Sequence, residues 1–134
     1  MIGVVVVTHG QLAQAFIAAA EHVLGALPHM RGLAIGPDDD MEKRREDILA
    51  LVRAVDDGAG VVILTDLFGG TPANLAISVM PHAHCDVIAG VNLPMLVKLG
   101  ELRGPNTLAQ AAAAAADAGR HYIRVASVEL ASDP

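Results

Sequence analysis

The chain has 134 residues, a formal net charge of −6 and one cysteine, and it is 53% hydrophobic but only 2% aromatic. That length suits one domain, expected over residues 1–134, which buries its core without disulfides; acidity and scarce aromatics exclude nucleic-acid binding through basic stripes and stacked bases. A lone Cys85, no positive segment before Val4–Val7 and no apolar run near ~18 residues point to a reduced, cytoplasmic protein with no direct membrane insertion.

In chain order, Ile2 to Thr8 is a short, β-branched apolar run, the pattern of a strand buried on both faces. His9-Gly10 breaks it, and Leu12, Phe16, Ala19/Ala20, Val23 and Leu27 recur near helical spacing, with Gly25 as a stop. Met30 to Ile35 reads as a second strand closed by Gly36-Pro37. Asp39 with Glu42 then has capping-box spacing before a helix carrying Met41, Ile48, Leu49, Val52 and Val55. Lys43 to Asp47 is read as that helix's solvated face. Val61 to Thr65 is the third strand, and the loop from Asp66 leads to Thr71 as the expected N-cap and Pro72 at the first helical position. Asp86 to Val91 is the fourth strand, followed by Asn92-Leu93-Pro94 and another helix. Ala109 to Ala118 is helical by propensity. Tyr122 to Glu129 alternates imperfectly and is expected to form an edge strand. No linker or internal repeat interrupts this order.

Strands alternating with helices imply an α/β fold with a central, mostly parallel sheet and helices on both faces. The expected order is 2-1-3-4, which sets strands 1 and 3 side by side and places ligands beyond the strands' carboxyl ends. Thr8-His9-Gly10, Asp66 to Thr71, and Asn92 all fall at those ends. A carboxylate on one imidazole nitrogen fixes the tautomer and leaves the other nitrogen nucleophilic, which makes His9 and Asp66 the candidate catalytic pair. Amides around Gly69, Gly70 and Thr71, at a helix N-terminus, form a candidate phosphoryl cradle. Thr8, Gly10, Phe68 and Asn92 would rim the site.

Each feature also has a plain structural role, as strand terminus, cap or tight turn; their joint placement favours function. The glycine loop fits neither G-x-G-x-x-G nor a P-loop, so nucleotide binding is not expected. His82 and His84, near Cys85 and Asp86, are poorly spaced for zinc, and no metal or cofactor is expected. His22, His29 and His121 are read as surface residues.

Three segments together resemble the mannose-family enzyme IIA of the bacterial sugar phosphotransferase system. They are Thr8-His9-Gly10 after the first strand, Leu64 to Asn74 with its Asp66-Leu67-Phe68-Gly69-Gly70-Thr71-Pro72 core, and Ala89 to Met95. The resemblance runs across nearly the whole chain. It implies that His9 takes a phosphoryl group from phospho-HPr, the small histidine phosphocarrier, with Asp66 orienting it and the glycine loop as cradle. The group would pass to a histidine of a IIB partner during sugar uptake. The resemblance also implies a homodimer in which the last strand, here Tyr122 to Glu129, crosses over and adds antiparallel to the partner's sheet. The chain stops at Pro134 without a fused IIB domain. A IIB on a separate chain, or a regulatory target controlled by the phosphorylation state of His9, is therefore expected. The phosphocarrier subunit of dihydroxyacetone kinase shares the fold and an early histidine, but Phe68 to Pro72 fits the sugar branch better.

Overall fold

A computed structural model of the chain describes residues 1–131. Strands β1 (Gly3–His9), β2 (Met30–Ile35), β3 (Val61–Thr65) and β4 (Cys85–Ala89) form one parallel sheet in the order β2-β1-β3-β4. Between them run helices α1 (Leu12–Leu24), α2 (Met41–Val55) and α3 (Thr71–Ser78), and after β4 come α4 (Leu93–Glu101), α5 (Leu108–His121) and α6 (Ala126–Ala131).

The sheet is central because its inner strands are apolar on both faces. Val4 to Val7 are all fully buried, as are Val61 to Leu64. Each such side chain contributes about 1.5–3 kcal/mol of burial, so the two central strands hold the layers together. Alternation then divides the core. Val4, Val6, Val62 and Leu64 pack towards Ala13 and Ala20 of α1, Leu96 and Leu99 of α4, and Ala111 and Ala115 of α5. Val5, Val7 and Ile63 pack on the other face against Ile48 and Val52 of α2 and Leu75 and Ala76 of α3. The alanine-rich run is thus an inner face, where small side chains let α5 lie close.

Local signals hold in part. Gly25 ends α1 at φ 84°, and Thr107 with Gln110 makes a capping box that starts α5. At α2 the cap is Asp40 rather than Asp39, accepting from the amides of Glu42 and Lys43. At α3 the cap is Gly70, and Thr71 is the first helical residue. The charged face of α2 is only partly solvated, since Arg45 reaches across to Ser78 Oγ at 2.9 Å. His29 is half-buried rather than a surface residue: burial first, and then the nearby Arg103 and amino-terminal charges, lower its pKa.

The expected edge strand over Tyr122–Glu129 is not formed. Residues 123–125 have no ladder partner, and Ala126–Ala131 is helical, with the amides of Val128 and Glu129 bonded to the Val125 carbonyl. A strand needs a neighbour to satisfy its backbone, whereas a helix closes its own hydrogen bonds. Within one chain the sheet ends at β4, so helix wins.

Candidate functional site

The β1 terminus turns sharply into α1. Thr8 is buried, and its Oγ1 accepts the Ala13 amide at 2.8 Å, which fixes the turn. His9 is the last residue of β1 and its side chain is 51% exposed. Gly10 follows at φ 54°, where a side chain would be strained, and donates its amide to the Ile35 carbonyl at 3.1 Å. The histidine is therefore held at the sheet's carboxyl end with its ring outward.

Asp66 arrives from β3. Parallel pairing sets Val7 beside Thr65, so the residues just beyond meet. A single oxygen, Asp66 Oδ2, accepts from the His9 backbone amide at 3.0 Å and from the ring at Nδ1 at 2.9 Å. An ionised carboxylate can only accept, so Nδ1 carries the hydrogen, and in the neutral ring Nε2 is the nitrogen with the lone pair. The Asp66 side chain is 13% exposed. Burial works to raise its pKa, but the His9 amide, the His9 ring and its own backbone amide outweigh that, so the carboxyl lies below its ordinary 3.8. It stays an anion through the neutral range.

The glycine loop closes on the free side of the ring. Gly69 adopts φ 88°, and a Cβ built on Gly70 would stand 3.0 Å from His9 Cε1 and 3.6 Å from Nε2. Only glycine lets the backbone approach the imidazole so nearly. Gly70 begins α3, so the helix's positive end faces the ring; the Thr71 and Ala73 amides have no acceptor within the helix, and Pro72 has no N–H to leave unpaired. The Thr71 hydroxyl caps nothing. Leu67 and Phe68 are exposed, Phe68 at 79%.

The structure thus brings together His9, Gly10, Asp66, Gly70 and Thr71. Asn92 is engaged elsewhere: its side chain accepts the Met95 amide at 3.2 Å, capping α4, and donates to the Gly119 carbonyl at 3.0 Å. Sequence reasoning missed the third wall. A cavity of about 190 Å³ beside His9 is lined by Gly10, Ile35, Gly36, Pro37, Met41 and Thr71. The signal lies in the order 2-1-3-4, which also sets the end of strand 2 next to His9, so Gly36-Pro37 is both a strand stop and a wall of the site. A larger cavity of about 670 Å³ lies between α4 and α5 and includes none of these residues. Among the described residues, no three His, Cys, Asp or Glu side chains converge as a metal site.

The family described as "PTS system fructose IIA component" matches residues 3–116. The chain belongs to this phosphotransferase IIA family. It is 37% identical over 98 residues to the "PTS system mannose-specific EIIAB component" of Escherichia coli (strain K12), a match covering 72% of this chain and 30% of that protein. It is 33% identical over 99 residues to the "PTS system sorbose-specific EIIA component" of Lacticaseibacillus casei, covering 72% and 70%. The fold superposes on the "Mannose/sorbose specific IIA subunit of phosphotransferase system from Enterococcus faecalis" with a TM-score of 0.83, covering 92% of this chain and 93% of that one at 22% identity. The chain therefore spans under a third of the EIIAB relative and 70% of the sorbose-specific EIIA relative. Phosphotransfer proteins are the company it keeps, and no helix among its described residues is long and apolar enough to cross a membrane.

Proposed function

We propose that residues 1–134 act as a single IIA domain in which His9 Nε2 accepts a phosphoryl group from a phosphohistidine of HPr and passes it to a histidine of a IIB partner. The observation that carries this reading is the Asp66 Oδ2 clamp, which occupies the His9 amide and Nδ1 and leaves Nε2 open beside the start of α3. In the step, the Nε2 lone pair attacks phosphorus while the donor's N–P bond breaks and its electrons return to the donor imidazole. The His9 ring gains positive charge, and Asp66 lies in contact to offset it. One N–P bond replaces another, so the exchange is nearly balanced in energy and draws on no nucleotide, metal or cofactor. Positioning and dipoles lower the barrier, with the Gly69, Gly70 and Thr71 backbone and the Thr71 hydroxyl around the phosphoryl oxygens. Leu67 and Phe68, exposed and apolar next to this site, supply a surface for a protein rather than a small-molecule donor.

A second copy of the chain is the other partner we infer. Tyr122, Ile123, Val125, Val128 and Leu130 are all exposed, and β4 leaves one sheet edge unpaired among the described residues. Nine residues rich in uncovered apolar side chains are costly for a domain to expose to water, and a homodimer would cover them.

Incubation with phosphoenolpyruvate, enzyme I and HPr should add one phosphate to the intact mass, and His9→Ala should abolish the gain. Labelling that persists in His9→Ala would remove His9 from the role.

A further inference from the structure

Two sides of the His9 ring are set by Asp66 at Nδ1 and Gly70 at Cε1. The third side is the β2–α2 loop, and its shape depends on a residue that the function above does not use. Asp39 caps no helix. Its Oδ2 instead accepts the Gly36 amide at 2.8 Å, while the Asp39 amide points back to the Gly36 carbonyl at 3.4 Å. The turn is fitted closely around this carboxylate, since a Cβ at Gly36 would stand 3.0 Å from Asp39 Oδ1. Arg44 lies on the far side, its Nε 3.9 Å from the same Oδ2 and too far for a hydrogen bond, while its Nη2 is paired to Asp47 at 3.1 Å. The loop so held presents Gly36, Pro37 and, one residue past the Asp40 cap, Met41 to the His9 cavity.

From this arrangement, and resting on the phosphohistidine reading above, we infer that Asp39 is a positioning residue that keeps the Gly36-Pro37 wall against His9 and thereby protects its phosphoryl group from water. The competing reaction is hydrolysis: a water oxygen attacks phosphorus, the Nε2–P bond breaks with its electrons returning to the ring, and the water protons are shared between phosphate and solvent. Half of the His9 side chain is already exposed, so a wall that is mostly carbon on one flank limits the directions from which water can enter. Asp39 acts through Gly36 and Pro37 and touches no reacting atom.

The test is the lifetime of the isolated phosphoprotein. Wild type, Asp39→Ala and Asp39→Asn are loaded with phosphoramidate, a small donor that needs no protein partner, then desalted and followed by intact mass. Asp39→Ala should lose phosphate about threefold faster or more, because the wall is no longer held. Asp39→Asn keeps an oxygen that can accept from the Gly36 amide and should restore the wild-type lifetime, a rescue that general loosening of the fold would not predict. Equal decay in wild type and Asp39→Ala, or decay of Asp39→Asn as fast as Asp39→Ala, would overturn the inference. Should Asp39→Ala not fold, Pro37→Gly provides the same comparison: it should decay faster, and an unchanged lifetime counts against the wall. Wild type that takes no phosphoryl from either phosphoramidate or HPr would instead overturn the phosphocarrier reading itself.

Discussion

Asp66 receives two donors on one oxygen, and both come from His9. The backbone bond fixes where the residue begins and the ring bond fixes where it points, so a single carboxylate sets position and tautomer together. Asp66→Asn separates geometry from charge, because the amide oxygen can still accept both bonds while the anion is gone. Transfer from phospho-HPr should slow by roughly tenfold or more, about 1.4 kcal/mol of barrier, with the fold retained by circular dichroism. Rapid-quench measurement of phosphoryl transfer checks this, and a wild-type rate would mean that orientation alone matters. His9 and Asp66 were legible in the sequence because each is the first polar, chemically capable residue beyond a buried strand. Asn92 obeys the same grammar, yet its amide is engaged by Met95 and Gly119. Asparagine is equally good as helix cap and as site residue, so its position alone could not separate the roles.

At the level of elements, caps were the least legible feature. Asp38, Asp39 and Asp40 stand in a row, and only the path of the chain after Gly36-Pro37 selects Asp40 for the helix and Asp39 for the turn. Similarly, Gly70 caps α3 through its backbone, leaving Thr71 free at the helix start. The strand–helix alternation itself was readable from periodicity, because buried parallel strands are continuous apolar runs and the helices show stripes. α6 was not readable as helix: residues alternate much as in a strand, and only the lack of a ladder neighbour within the chain decides against it. The tie from Asn92 to both α4 and α5 gives an element-level expectation. Asn92→Ala should cost about 1–2 kcal/mol, the loss of a cap and of a part-buried hydrogen bond. Urea unfolding measures it directly, and an unchanged midpoint would show that the two helices dock by their apolar faces alone.

For the molecule as a whole, the sheet order was predictable as the common order of a short parallel α/β chain, whereas the fate of Tyr122 to Leu130 depends on what lies outside the chain. If a second copy covers Tyr122 to Leu130, sedimentation velocity should give a dimer mass. Ile123→Glu combined with Val128→Glu should then yield a folded monomer. A wild-type monomer at all concentrations reached would leave the apolar tail to another partner.

His9 and Asp66 are 57 positions apart along the chain and meet only because β1 and β3 lie side by side in register. Neither fragment alone, nor a collapsed chain with those two strands unpaired, contains the clamp. The clamp is thus a product of assembling the middle of the sheet. For the phosphocarrier role proposed above, the moment at which a refolding chain first takes phosphoryl from phospho-HPr should therefore report the pairing of β1 with β3.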